Sequence, residues 1–267
     1  MTIPVPNHHM HWTRRWLSVY ILLITGAAPV RPVVISQMTD TRPPFERAWF
    51  TAGRTDLWNC QATYCTVPYE YLPRLSRVTD DLTWLDQVTP ELRRVIGGAS
   101  TLNSSENQIA NLESIVAKAK SLSLPLPEPF QRFMRAADLQ DKVPTCTGCY
   151  LGLSDDFVPI SGAEGQFLLR FLNDSQGCVM WYLRLGRTGS SGVIASTYFL
   201  ELDIFDAVGY KGVKRQDAFR EAVTCAETFT EFLYRFWVEN TIWYSLHKQL
   251  PLTQIQQEYK SQITTKL

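Results

Sequence analysis

The chain has 267 residues, of which 45% are hydrophobic, and its 26 basic residues balance 26 acidic ones. The length suffices for one domain with a buried core, and the lack of any basic block argues against nucleic-acid binding, because phosphate neutralisation needs clustered cations. Six cysteines are too sparse for the disulfide framework of a small secreted domain, so we interpret them as reduced, intracellular thiols.

Residues 1–44 are rich in proline and show no sustained hydrophobic period, which predicts a flexible or accessory segment. A basic pair at 14–15, an apolar run at 16–24 and small residues at 26–28 are the ingredients of a signal peptide, which would make the protein secreted. The run is shorter than the roughly 20 residues of a membrane-spanning helix. We prefer a packed strand or helix, or a start at Met38, and we expect a cytoplasmic protein that does not bind membranes.

Residues 45–100 are predicted to form a helical extension with breaks. The stretch 45–50 has the pattern of a short amphipathic helix, and apolar residues recur at helical spacing between 69 and 78. Thr89 followed by Pro90 predicts the start of a further helix, which the glycine pair at 97–98 ends.

The remaining residues, 101–267, are predicted to form the main domain. Residues 104–124 carry an apolar stripe at helical spacing. From 165 to 196 three β-like runs alternate with turn residues, which predicts an antiparallel meander. The aromatic face of a long helix at 217–246 must pack against that meander. The predicted fold class is therefore α+β, with an antiparallel β-meander packed against N- and C-terminal helices.

The cysteines allow a metal-site hypothesis. Cys146 and Cys149 form a CxxC pair that, with Cys60 and Cys65, could supply four thiolates to zinc. A redox dithiol would need a helix N-terminus beside it, whereas strand and turn residues follow the pair. We prefer small residues flanking a glycine turn, so no metal or other cofactor is expected, and a zinc-stabilised structural protein remains the alternative.

No common catalytic motif occurs in the sequence: there is no G-x-S-x-G elbow, no P-loop and no G-x-G-x-x-G. Asp155 and Asp156 fall in a predicted loop, and His247 falls at a helix C-terminus, where a cation is favoured. We therefore expect no enzymatic activity. The alternative is an unrecognised active site around these three residues.

A partner-binding surface is predicted around the second strand of the meander. Trp181 and Tyr182 are neighbours on that strand and must point to opposite faces, so we expect one in the core and the other exposed beside Arg184. The alternative is that the C-terminal helix covers both aromatic residues. Asp174 and Gln176, in the preceding turn, complete the predicted partner-binding set.

Three segments carry a family resemblance: LPEPFQRFM at 126–134, FLNDSQGCVMWYL at 171–183 and TFTEFL at 228–233. In order and pattern they resemble the SUKH superfamily, the Smi/Knr-like domains, over roughly residues 104–247. The resemblance implies an α+β fold without catalytic residues. It also implies that the chain binds a protein partner, either as an immunity protein that neutralises a toxin or as a scaffold of a regulatory complex. The CxxC pair and the Asp-Ser-Gln-Gly turn at 174–177 are not general features of the family, and residues 1–100 have no counterpart in it.

Overall fold

The computed structural model describes residues 45–52, 64–75, 78–98, 101–102, 106–202 and 212–264. The expectations for residues 1–44 lie outside these ranges. Within them the chain is an α+β protein, as predicted, with eight strands in a mixed sheet and seven α-helices.

The strands follow in chain order as β1 (Glu46–Ala52), β2 (Tyr64–Pro68), β3 (Tyr150–Leu151), β4 (Val158–Pro159), β5 (Gln166–Asn173), β6 (Met180–Gly186), β7 (Ser191–Ser196) and β8 (Val223–Ala226). Their order across the sheet is β2-β1-β8-β7-β6-β5-β3, and β4 also pairs with β5. The pair β1–β8 is parallel, and the other pairs of described strands are antiparallel.

The helices are α1 (Pro90–Gly97), α2 (Glu106–Ser121), α3 (Glu128–Arg135), α4 (Ala137–Gln140), α5 (Arg215–Glu221), α6 (Phe229–His247) and α7 (Gln254–Thr264). Short 3-10 turns occupy Tyr69–Tyr71 and Thr83–Asp86. The side chain of Thr89 accepts a hydrogen bond of 3.2 Å from the backbone N–H of Leu92, so the predicted start of α1 is confirmed.

The central hairpins confirm the predicted meander, because β5, β6 and β7 pair in sequence order. Apolar clusters cover both faces of this sheet. The first and larger cluster contains Trp181, Leu183 and the inner side of α6, while the second contains Leu168, Tyr182 and α5. A sheet covered on both sides buries most side chains of its central strands on either face, which decides where the predicted site residues lie.

Two predicted helices are corrected by the strands. Residues 46–50 and 64–68 are not helical, because they belong to β1 and β2, and β1 pairs with β8, for example Glu46 with Val223. The long helix predicted over 217–246 is broken, since Val223–Ala226 forms β8 between α5 and α6. In both cases backbone pairing with a distant strand overrides a local apolar spacing that fits a helix.

Candidate partner-binding site

The turn between β5 and β6 contains two of the predicted partner-binding residues. Asp174 is buried, and its Oδ2 accepts hydrogen bonds from the backbone N–H groups of Gln176 (2.9 Å) and Cys178 (3.1 Å). The backbone N–H of Asp174 also donates to Val179 (2.9 Å), and Gly177 has a φ of +72°, which favours glycine. The carboxylate of Asp174 therefore shapes this turn from inside.

The other oxygen of Asp174 is bound by a tyrosine from a distant strand. Tyr64 of β2 donates its hydroxyl to Oδ1 at 2.8 Å, and the same hydroxyl lies 2.8 Å from Thr147 Oγ1 and 3.2 Å from Cys149 Sγ. Ser175 Oγ donates to the carbonyl of Thr147 at 3.1 Å. The turn and the loop at 145–149 are thus joined by a buried polar cluster.

The surroundings of Tyr64 and Cys149 favour their protonated forms. Burial, with the neighbouring Cys149 and Asp174 adding to it, raises the pKa of Tyr64 above its ordinary range. Burial likewise raises the pKa of the Cys149 thiol. A nucleophilic cysteine needs a lowered pKa and access to solvent, so Cys149 is suited to packing rather than to attack on a substrate.

An exposed rim surrounds this buried cluster. Ser175, Gln176 and Cys178 are exposed at the turn, and Tyr150 of β3 is 50% exposed. Tyr150 pairs directly with Asn173, the residue before the turn. An exposed tyrosine next to a fixed polar turn is a feature of protein contact surfaces, where tyrosine is enriched.

Trp181 and Tyr182 point to opposite faces, as expected, but both are buried. Trp181 is 1% exposed and packs with its ring centroid 6.0 Å from those of Phe232 and Phe236 of α6. The hydroxyl of Tyr182 donates to Glu201 Oε2 at 2.7 Å. The expectation that one of the two is exposed is wrong, because the second core cluster covers the face of the sheet opposite α6.

Arg184 is partly exposed but does not lie beside the turn. It is four residues beyond Met180, the first residue of β6, which corresponds to roughly 13 Å along an extended strand. Its guanidinium lies over Gly192 of β7. The five predicted residues are therefore divided between the turn, the two core clusters and the end of β6.

The zinc hypothesis is not supported by those of its four cysteines that lie within the described residues. Cys60 lies outside the described residues. Within the described ranges no group of three or more His, Cys, Asp or Glu side chains is arranged to hold a metal, so Cys65, Cys146 and Cys149 do not form such a group. These three thiols are free of disulfides.

The residues of the alternative active site are also separated. Asp155 and Asp156 line a cleft of about 520 Å³, and a hydrogen bond from the backbone N–H of Phe157 lowers the pKa of Asp156. His247 is not among the residues that line this cleft; it stacks on Trp243 at the end of α6, with ring centroids 4.7 Å apart.

A larger cleft, of about 720 Å³, was not foreseen from the sequence. It lies between residues 69–80 and the start of α6. On its floor Glu231 Oε1 accepts hydrogen bonds from the hydroxyl of Tyr69 (2.5 Å) and from Nε and Nη2 of Arg235 (3.2 and 3.0 Å). Burial and the bond to Glu231 raise the pKa of Tyr69 to about 12. These bonds tie Tyr69 and Arg235 to Glu231 at the start of α6, although Arg235 Nη1 is buried and makes no hydrogen bond.

The sequence contains one signal for part of this cleft floor, at the start of α6. Thr228 and Glu231 have the spacing of a helix cap, and Thr228 Oγ1 accepts a hydrogen bond of 3.0 Å from the backbone N–H of Glu231. The cap indicates where α6 begins, but no local pattern indicates that Tyr69 contacts Glu231 from 162 residues away.

The fold and the candidate site define an α+β protein with a braced, exposed turn. Within the described residues, every helix is too short or too polar to cross a membrane. In comparisons with known proteins, no family model matches the chain, and no curated protein or solved structure is similar enough to be matched to it.

Proposed function

We propose that the chain is a non-enzymatic protein-binding module of the kind that its SUKH resemblance implies, an immunity protein or a regulatory scaffold. The contact surface in this proposal is the rim formed by Ser175, Gln176, Cys178 and Tyr150. The partner is a protein, either a toxin or a member of a regulatory complex.

The observation that carries the proposal is an exposed rim on a turn that hydrogen bonds hold in place from below. Tyr150 offers a half-exposed aromatic ring, and the turn that carries Gln176 is held by hydrogen bonds from Tyr64 and from its own backbone. A surface that is already ordered loses little conformational freedom on binding, which favours affinity. The zero net charge of the chain supports a protein partner over a nucleic acid.

The test compares partner capture by surface variants. Wild-type protein and the variants Tyr150→Ala, Gln176→Ala and Tyr71→Ala are immobilised and exposed to lysate from the producing cells. Tyr71 is the matched control, because it is also an exposed tyrosine (37%) but lies in the 3-10 turn after β2. Thermal unfolding of each variant establishes that it is folded.

We expect a stoichiometric protein partner on the wild type and on Tyr71→Ala. Tyr150→Ala should weaken its binding by about tenfold or more, the effect of losing an aromatic anchor. Equal capture by Tyr150→Ala, Gln176→Ala and the wild type would show that the rim is not the contact surface.

A further inference from the structure

Two arginines lie on the same face of the sheet and differ in their partners. Alternation along β5 and β6 places Arg170 and Arg184 on the face of the second core cluster. Arg170 forms an ion pair with Glu201 and donates from Nη1 to the carbonyl of Gly152 (3.1 Å) and to Asn173 Oδ1 (2.5 Å). Arg170 is therefore a fully bonded structural residue.

Arg184 has no such partners in the part of the chain that the structure describes. Its Nε is buried and makes no hydrogen bond, although the side chain as a whole is partly exposed. Its cross-strand neighbours, Leu168 and Gly192, carry no charge. Withdrawing part of a guanidinium from water without a counter-charge destabilises a protein, so this arrangement requires an explanation.

The position of the guanidinium is defined by Gly192. A Cβ atom at residue 192 would lie 3.1 Å from the carbonyl oxygen of Ala226 and 3.2 Å from Arg184 Nη2, both closer than most side chains pack, and 3.5 Å from Arg184 Nε, an ordinary contact. The guanidinium thus lies against the backbone of β7 at a position that carries no side chain. Long cationic side chains usually extend their charged ends into water, whereas this one lies across a strand.

We propose that Arg184 is the binding point for a carboxylate of an acidic segment in a protein partner. Two terminal nitrogens of a guanidinium match the two oxygens of a carboxylate, and partial withdrawal from water strengthens their attraction. An acidic protein segment is favoured over a nucleic acid because the sequence balances 26 basic residues with 26 acidic ones and contains no basic block. The assignment of the carboxylate to a protein rests on the proposed function. The site itself is separate, because Arg184 lies apart from the rim at the turn.

The first test titrates the wild-type protein with a capped peptide of six glutamates and, separately, with one of six glutamines. The guanidinium N–H resonances of Arg184 and Arg187 are followed by NMR and assigned from the variants Arg184→Lys and Arg187→Lys. Arg187 is the internal control, because it is exposed and lies over the ring of Phe167. We expect a saturable shift at Arg184 with the glutamate peptide and none with the glutamine peptide.

Three results would overturn the proposal. The first is no shift of the Arg184 resonances with the glutamate peptide. The second is equal shifts at Arg184 and Arg187, which would indicate general charge attraction. The third is a stronger response of Arg184 to a single-stranded oligonucleotide than to the glutamate peptide. The titration requires neither the natural partner nor the rim. If the rim variants capture the partner as well as the wild type does, while Arg184 still responds to the glutamate peptide, the proposed contact surface is refuted and this inference stands.

The second test measures stability without any ligand. Arg184→Met keeps the apolar stem and removes the charge, so the melting temperature should rise by about 2 °C or more. Arg187→Met should leave it within about 1 °C. A fall in melting temperature for Arg184→Met alone would show that the guanidinium stabilises the fold, and the binding role would then be abandoned.

Discussion

The hydroxyl of Tyr64 donates a hydrogen bond of 2.8 Å to Oδ1 of Asp174, although 110 positions separate the two residues. Tyr64 belongs to β2, at one end of the strand order, while Asp174 follows β5, next to the opposite end. β1 pairs with β8 at two positions, and both strands of the β1–β2 hairpin contribute residues, Trp49 and Val67, to the first core cluster. There the ring of Tyr64 lies 6.0 Å from that of Trp181.

Removing the Tyr64 hydroxyl should destabilise the protein without changing its fold. Tyr64→Phe leaves Asp174 Oδ1 without this buried donor, which costs about 1–3 kcal/mol of unfolding free energy. Denaturant titrations of the wild type and the variant measure this difference. Tyr71→Phe, at an exposed tyrosine, should stay within about 0.5 kcal/mol of the wild type. Equal stability of all three proteins would show that the contact does not brace the turn.

The buried carboxylate of Glu239 predicts a larger effect. Glu239 is 1% exposed and accepts hydrogen bonds of 2.9 Å from Trp49 Nε1 and from the hydroxyl of Tyr259. Glu239→Ala leaves both donors buried and unbonded, so we expect a loss of about 3–5 kcal/mol in the free energy of unfolding.

Glu258→Ala is the control for Glu239→Ala, since Glu258 is exposed on α7 and its loss should cost no more than about 0.5 kcal/mol. Both values come from denaturant unfolding under the same conditions. A change of less than about 1 kcal/mol for Glu239→Ala would contradict the view that this carboxylate holds β1 and α7 against α6.

The raised pKa of Tyr69 predicts an alkaline pH dependence. Its pKa is about 12 in the folded protein against 10.0 for an ordinary tyrosine, mainly because of burial and then the bond to Glu231. The stabilisation is complete below about pH 10 and is lost as the pH rises towards 12. The stability advantage of the wild type over Tyr69→Phe should therefore shrink by about 1 kcal/mol across this window, a value reduced for the partial exposure of the side chain.

The measurement for Tyr69 is the free energy of unfolding of both proteins from about pH 8 to about pH 11. Tyr71→Phe, which removes the hydroxyl of an exposed tyrosine, is measured under the same conditions as the control for the substitution itself. If the difference in unfolding free energy between the wild type and Tyr69→Phe is constant over this range, Tyr69 ionises in the folded protein as it does in the unfolded chain.

The buried environment of Trp181 changes what a substitution there can test. Trp181 packs against α6 in the first core cluster, so Trp181→Ala creates a cavity, and losses of about 3–5 kcal/mol are typical of such changes. A lost partner in that variant would reflect damaged packing. The exposed Tyr150 and Gln176 are the informative positions for a surface contact.

Local periodicity in the sequence was sufficient for the elements whose partners are close in the chain. The stripe at 104–124 predicted α2, and alternating runs separated by turn residues predicted β5, β6 and β7. These elements repeat their own apolar period, and their turns are encoded by the residues within them. The α+β class, and the opposite directions of Trp181 and Tyr182, follow from the same patterns.

Tertiary structure alone decided the features that depend on distant partners. The strand β8 exists because it pairs with β7 and with the distant β1, and β1 joins the sheet through β8 while pairing with β2 as a hairpin; no local pattern separates β1 and β8 from short helices. The burial of Tyr182 depends on what covers the second face of the sheet, and the Tyr64–Asp174 contact depends on where the β1–β2 hairpin folds. Periodicity along a chain reports which side of an element is apolar, whereas the surface that covers that side is set by packing between elements.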